Sequence, residues 1–137
     1  MTTHATGSCL CGKVTYSTSA AFEIVGACHC NTCKKITGAA FEIFAIIDEK
    51  NIQLTQGKDN LNEYLISPKA KKHFCSSCGT PIFNLHRLAP GKLIVHVGSL
   101  DKPEQVTPLI NIHCEKMLPW LRDIASIKSF DQGLTKG

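Results

Sequence analysis

The amino-acid sequence predicts a mainly β domain, and three observations lead to this prediction. Apolar residues occur in short runs, some of which alternate with polar residues as strands do. Glycines and prolines separate the runs, as expected for turns between strands. The chain has 137 residues, a length typical of one domain that can bury its own core.

The short runs are predicted to be strands, taken in chain order. They lie at residues 14–16, 41–47, 52–54, 62–66, 81–85, 93–97 and 109–113. Ile52 with Leu54, and Ile110 with Ile112, show the period of two that is typical of a strand with one buried face. Turn residues divide the runs at Gly57, Pro68, Gly79, Pro90, Gly91, Gly98 and Pro108. This regular spacing favours a β architecture.

Helical structure is predicted in two short segments only. Residues 31–36 can form about one turn, which Gly38 would end. Residues 118–126 can form another, which would begin near Pro119. We expect Trp120 to cap the core and residues 132–137 to be frayed.

Composition and charge narrow the function classes. The apolar fraction of 43% is ordinary for a globular protein, and no stretch approaches the length of a membrane span. The N-terminus lacks the basic and apolar regions of a signal peptide, which predicts a cytoplasmic location. A net charge of +4 does not favour nucleic-acid binding. The basic cluster at residues 69–73 could attract an anionic substrate, although a solvated surface is the simpler interpretation.

Eight cysteines carry the clearest chemical pattern. A C-x-x-C spacing lets two thiolates of one tight turn face the same ion, and a C-x-C pair can also chelate although its thiols are poorly placed to bond to each other. A reducing compartment favours metal ligation over disulfides. The cysteines form three groups and a singleton: Cys9 and Cys11; Cys28, Cys30 and Cys33; Cys75 and Cys78; and Cys114.

The two cysteine pairs together supply four thiolates, which is the donor set of a closed structural zinc site. The predicted ligands are Cys9, Cys11, Cys75 and Cys78. Such a site would close a loop of about sixty residues, and its binding free energy would count as folding free energy. Disulfides and redox chemistry at residues 75–78 are the alternatives, and the latter would require a thioredoxin-like βαβ context that the sequence does not show.

The triplet Cys28, Cys30 and Cys33 supplies three ligands. Three protein ligands with a free fourth position is the catalytic pattern for zinc. A fourth ligand from this chain would instead make a second structural site, and spacing alone leaves both possibilities open. The candidates for that ligand are Cys114, His29, His73 and His113. Iron–sulfur ligation is a weaker alternative. His29 could also orient a ligand or relay a proton, or it could be solvent-facing or bonded to backbone.

Three segments resemble the glutathione-dependent formaldehyde-activating enzyme family, also called the GFA or CENP-V domain family. They are Gly-Ser-Cys-Leu-Cys-Gly at 7–12, Cys-His-Cys-Asn-Thr-Cys-Lys at 28–34 and Phe-Cys-Ser-Ser-Cys-Gly-Thr-Pro at 74–81. Residues 97–101, 112–113 and 119–120 fit as well. The resemblance covers about residues 5–121 as one domain and leaves 122–137 as a C-terminal extension. Cys114 departs from it, because members commonly carry a bulky residue there; the ordinary interpretation of this lone thiol is a core filler.

The resemblance implies an Mss4-like zinc-binding β domain with one or two short helices. It places a structural zinc on Cys9, Cys11, Cys75 and Cys78, and a second zinc on Cys28, Cys30 and Cys33. The implied activity is of the carbon–sulfur lyase type, the condensation of formaldehyde with glutathione to S-hydroxymethylglutathione. A small thiol such as glutathione would then be the partner. Charge and composition, as described above, predict neither a nucleic-acid partner nor a membrane.

Two other functions compete with this one. A zinc-stabilised binding module without catalysis shares the fold class. A reductase of the methionine sulfoxide type also shares it, but would need a nucleophilic cysteine outside the zinc ligands, and Cys114 is the one available.

Overall fold

The computed structural model describes residues 3–134, which form two antiparallel-rich β-sheets and little helix. This confirms the predicted mainly β class. The strands are β1 (Ala5–Ser8), β2 (Thr15–Thr18), β3 (Ile24–Cys28), β4 (Glu42–Asp48), β5 (Ile52–Gln56), β6 (Leu61–Ser67), β7 (Ala70–Cys75), β8 (Pro81–His86), β9 (Lys92–His96) and β10 (Ile110–Ile112).

The sheets differ in size. The smaller sheet has the order β1-β2-β5, and the larger has the order β10-β3-β4-β9-β8-β7-β6. Neighbouring strands are antiparallel except β10, which runs parallel to β3. Since β10 comes late in the chain, this parallel pairing brings residues 110–112 beside the strand that ends at Cys28.

The two faces of the larger sheet serve different purposes. Along β4, Ala45 and Ile47 point to one face and are fully buried in the core. That core also contains Tyr16 and Val14 from the region of the smaller sheet. Because side chains alternate along a strand, Glu42, Phe44 and Ile46 lie on the opposite face, where they line a cavity. The larger sheet therefore separates the core from the cavity.

Three strands were missed in the sequence, and their composition explains why. β1 and β3 contain glycine and small residues, which are depleted in strands. β7 contains two consecutive lysines and a histidine, so it reads as a polar surface segment. All three are half of an antiparallel pair whose partner supplies the ordering contacts.

The predicted helices are both present. The first, α1, spans Asn31–Thr37 and ends at Gly38, whose φ of 68° and amide bond to Lys34 O are those of a left-handed C-cap. The second is a 3₁₀ helix over Pro119–Ser126. Trp120 in it is 51% exposed, so the prediction that it caps the core is wrong. None of the helices in residues 3–134 has the length and apolarity to cross a membrane.

The C-terminal segment beyond this 3₁₀ helix has no regular structure up to Leu134. Its residues are exposed, including the side chains of Ile127, Phe130 and Leu134. Fraying is predicted for residues 132–137, and residues 135–137 lie outside the described range.

Candidate metal centres

Cys9, Cys11, Cys75 and Cys78 lie together at the edge of the core. One sulfur from each residue falls within 4.8 Å of all the others. Cys9 Sγ lies 3.6 Å from Cys11 Sγ, which in turn lies 3.7 Å from Cys75 Sγ. These distances are far longer than a disulfide bond, and they match the edge of about 3.8 Å of a tetrahedron with bonds of about 2.3 Å to zinc. The four sulfurs therefore fit a closed tetrahedral metal site.

Two tight turns place these sulfurs. Cys9 and Cys11 follow β1, and Gly12 turns the chain with a φ of 81° while its amide bonds to Cys9 O. Cys75 ends β7, and Gly79 closes the second turn with a φ of 78° and an amide bond to Cys75 O. Both conformations are ones that residues with a Cβ rarely adopt. The two turns have the same design, a glycine just after the second cysteine of each pair.

Hydrogen-bond donors point at the sulfurs of this cluster. The amide of Val14 donates to Cys9 Sγ over 3.2 Å, and the Asn60 side-chain amide donates to Cys75 Sγ over 3.2 Å. The Thr80 hydroxyl lies 3.2 Å from Cys78 Sγ, and this contact together with the Thr80 amide lowers the pKa of Cys78 to about 5. Such donors stabilise thiolates, which is the form that binds a metal.

Cys28, Cys30 and Cys33 form the second cluster, with their sulfurs within 4.8 Å of one another. Cys28 ends β3, and Cys30 is the N-cap of α1, where its sulfur accepts a bond of 3.2 Å from the Cys33 amide. The side chain that would ordinarily be a serine or asparagine cap is thus a thiol. The end of one strand and the first turn of one helix bring the three ligands together.

The thiols of the second cluster differ in their pKa values. Burial raises the pKa of Cys28. Burial and the negative charge of Glu42 raise the pKa of Cys33, and its thiol also contacts that carboxylate. Burial acts to raise the pKa of Cys30 as well, but the hydrogen bond from the Cys33 amide helps to outweigh it, and the pKa of Cys30 is lowered. Cys30 is therefore the thiol in this cluster that gives up its proton most readily.

A buried polar chain adjoins the second cluster. Glu42 Oε1 lies 2.7 Å from His96 Nδ1, and His96 Nε2 lies 3.0 Å from Asn84 Oδ1. Glu42, His96 and Asn84 are each less than 10% exposed. The strand register places them on one face, because His96 pairs with Phe44, two positions after Glu42 on β4, and Asn84 pairs with Ile94, two positions before His96 on β9. The sequence suggested a sheet position for His96, which is confirmed, but it gave no sign of the carboxylate beside the cysteines.

The second cluster opens onto a cavity of about 570 Å³. All three cysteines line it, together with Glu42 and Asn84. His113 lines it too, with a left-handed backbone at φ 57°. The three-cysteine cluster is thus accessible from a space large enough for a small molecule, whereas the four cysteines of the other cluster do not line this cavity.

The other candidate ligands for the second site lie elsewhere. Cys114 is exposed, so its prediction as a core filler is wrong, and it is not among the residues described as lining the cavity. His73 stacks on Phe83 with ring centres 4.5 Å apart and faces Glu63 at 3.3 Å. Neither belongs to a cluster with the three cysteines.

His29 is 3% exposed, so it is not the solvent-facing residue that one interpretation suggested. Its Nε2 lies 2.8 Å from Asn111 Oδ1 on β10. This contact orients the His29 ring and links β10 to the loop that carries Cys28 and Cys30.

A more open groove, lined by two lysines and by several apolar side chains, lies next to the cavity. Lys35 and Lys72 line the groove, and Thr32, Ile36 and Ile66 line both the groove and the cavity. Lys72 donates to Ile36 O over 2.6 Å. Of the basic cluster at 69–73, Lys72 faces this groove, while Lys71 lies 3.4 Å from Glu63. Because side chains alternate along a strand, only one lysine of the pair at 71 and 72, Lys72, lines the groove next to the three cysteines.

Comparisons with known proteins agree with this geometry. The sequence model of a family described as glutathione-dependent formaldehyde-activating enzyme matches residues 4–116. The crystal structure of a Rhodobacter sphaeroides protein, a Northeast Structural Genomics target, is similar with a TM-score of 0.62 and 26% sequence identity. The similarity covers 77% of this chain and 98% of that one. Among curated proteins, none matches the chain.

Proposed function

Since the chain belongs to the glutathione-dependent formaldehyde-activating enzyme family, we propose that it is a zinc-dependent enzyme of the carbon–sulfur lyase type. Its substrates would be a thiol such as glutathione and formaldehyde or another small aldehyde. The observation that carries the proposal is the cluster of three cysteines in the wall of a cavity that the four cysteines of the other cluster do not line. One cluster serves stability and the other chemistry.

The reaction adds a thiol to an aldehyde without net oxidation. The sulfur forms a bond to the carbonyl carbon, the C=O π pair moves to oxygen, and the proton lost from the thiol ends on that oxygen. The product is a hemithioacetal, and the lyase direction reverses each step. A catalyst for it must hold a sulfur and a carbonyl together and keep the departing proton nearby.

The donor set fits zinc, since three thiolates with no fourth protein ligand in the described cluster are the pattern of a catalytic site. Cys28, Cys30 and Cys33 would hold the ion, which when bound supplies Lewis acidity and lowers the pKa of a coordinated thiol. Three negative ligands weaken Lewis acidity toward water and favour a strongly nucleophilic sulfur. This balance fits thiol chemistry better than hydrolysis.

Other residues of this chain would bind and orient the substrates. Glu42, whose Oε1 lies 2.7 Å from His96 Nδ1, can accept a hydrogen bond from the hydroxyl of the adduct. The Asn84 side chain lines the same cavity and completes the buried polar wall. His29, fixed by Asn111, orients the loop between Cys28 and Cys30. Lys35 and Lys72 in the adjacent groove are placed to bind the carboxylates of a thiol such as glutathione.

The proposal is tested by metal content and exchange kinetics on the same preparation. Two zinc ions per chain and faster exchange between labelled formaldehyde and its glutathione adduct, measured by NMR, are expected for the wild type and for Cys114→Ser. Cys30→Ser should lose the acceleration together with one metal ion. Two zinc ions without any acceleration would refute the enzyme and favour the alternative, a zinc-stabilised binding module.

A further inference from the structure

The size of the cavity exceeds what formaldehyde requires. Formaldehyde has two heavy atoms and occupies roughly the space of two water molecules, on the order of 60 Å³. The cavity measures about 570 Å³. A substrate with formaldehyde as its only buried part would leave most of this space to water.

Away from the cysteines the cavity is lined mainly by apolar side chains, and the polar ones there are Ser67, Asn84 and His86. Phe44, Ile46 and Ile94 form its floor, with Ile46 and Ile94 paired directly across β4 and β9. Three further apolar side chains, each from a different element, form the sides: Ile36 of α1, Ile66 of β6 and Leu88 of the turn between β8 and β9. Contributions from so many separate elements make a formed pocket, in which each buried methylene of a ligand would be stabilised.

The charge of the cavity does not suit glutathione. The tripeptide carries two carboxylates and an ammonium group, which need charged or strongly polar partners when buried. No lysine or arginine is found among the described residues that line the cavity, and its basic side chains there are those of His86 and His113. The cations lie outside it, in the groove with Lys35 and Lys72. The polar thiol therefore fits the groove, and a neutral apolar group fits the cavity.

We propose that the cavity binds the body of an apolar aldehyde, a linear or aromatic chain of about six to nine heavy atoms. This inference rests on the proposed function and specifies the class of aldehyde that the enzyme would use. The aldehyde carbon would lie at the three cysteines and Glu42, and the chain would extend over Phe44, Ile46 and Ile94. The enzyme would then prefer hexanal or phenylacetaldehyde to formaldehyde.

The kinetic test compares hexanal with formaldehyde, each with glutathione, on the zinc-loaded full chain. Burial of one methylene is worth about fourfold in binding, so kcat/KM for hexanal should exceed that for formaldehyde at least tenfold. Leu88→Asp, at a position that is 79% exposed, should fold normally and lower the hexanal-to-formaldehyde ratio at least fivefold. Leu109→Asp is the matched control, because Leu109 is 83% exposed and outside the cavity lining; its ratio should stay unchanged.

Ile94→Thr provides a second variant on the cavity floor, with a side chain that keeps the strand's β-branched shape. It should lower the same ratio. A preference for formaldehyde in the wild type, or an unchanged ratio in both variants, would overturn the inference. If the cavity held the tripeptide instead, the variants would slow both aldehydes equally and the ratio would not move.

A binding measurement separates this inference from the proposed function. Hexanamide and formamide are unreactive counterparts of the two aldehydes, and their binding can be measured by calorimetry without catalysis. Hexanamide should bind the wild type at least tenfold more tightly than formamide does, and Leu88→Asp should weaken it. Selective hexanamide binding with no catalysis of any aldehyde would refute the proposed function while retaining the apolar pocket. Catalysis of formaldehyde without selective hexanamide binding would refute the pocket alone.

Discussion

Replacing Cys75 by serine tests the role of the four-cysteine cluster most directly. The Cys75 side chain is completely buried, and its sulfur lies 3.7 Å from that of Cys11 across 64 positions of the chain. A cross-link of that span lowers the conformational entropy of the unfolded chain, which destabilises the unfolded state by about 4 kcal/mol. A small domain is stable by only about 5–15 kcal/mol. The loss of one ligand should therefore remove much of the stability of the fold.

Cys75→Ser is expected to lose one metal ion per chain and to lower the free energy of unfolding by about 4 kcal/mol or more. For a domain of this size the thermal midpoint should fall by roughly 15 °C or more. Metal content after gel filtration and urea denaturation followed by circular dichroism measure both quantities. If the variant does not fold, adding a strong chelator to Cys30→Ser, which is expected to hold only the ion of the four-cysteine cluster, gives the same comparison.

Cys114→Ser is the matched control, because it makes the same chemical change at an exposed thiol outside both clusters. Its metal content and thermal midpoint should equal those of the wild type. The reasoning fails if Cys75→Ser retains both metal ions, or if it loses one and its midpoint stays within about 3 °C of the wild type. The second outcome would mean that the β-sheets hold the two turns together without the ion.

Three further predictions follow from the same structure. Cys30→Ser should lower the metal content to one ion per chain and reduce the thermal midpoint less than Cys75→Ser does; retention of two ions would contradict the assignment. Gly26→Ala should destabilise the fold by about 1–3 kcal/mol in urea denaturation, because the added methyl would lie 2.8 Å from the Phe44 ring, and an unchanged midpoint would refute this. Burial raises the pKa of Tyr16 from 10 to about 12, so the stability that its protonated form contributes is complete below pH 10 and lost between pH 10 and 12. Tyr16→Phe should therefore lose less stability over that window than the wild type does, and parallel pH curves would contradict it.

The cysteine grouping could be predicted from the sequence because the ligand pairs are local. Two cysteines at a C-x-C or C-x-x-C spacing lie within one turn of the chain. The glycine after each of the two pairs indicates the positive φ that such a turn requires. Counting ligands then assigned four to one cluster and three to the other, and the structure brings together the same sets. The C-cap of α1 at Gly38 was predictable for the same reason.

The polar wall of the second site could not be predicted, because it depends on sheet register. Glu42 and Asn84 are 42 positions apart and meet through His96 on a third strand. The residues next to Glu42 in the sequence do not indicate that this first residue of β4 is buried. In addition, β3, which pairs with β4, was not predicted. His29 shows the same limit, since its burial depends on Asn111 of the late strand β10.

The placement of the two clusters explains why one chain carries both. The four-cysteine cluster lies on the core side, where Cys9 and Cys75 pack among apolar side chains and Asn60 and Val14 satisfy their sulfurs. The three-cysteine cluster lies at the end of β3, on the opposite face of the larger sheet, where the cavity admits a small molecule. The four-cysteine cluster joins the turn after β1, an edge strand of the smaller sheet, to the end of β7, the strand next to the edge of the larger sheet. A metal ion bound there would therefore link the two sheets, and the larger of them forms the floor of the cavity.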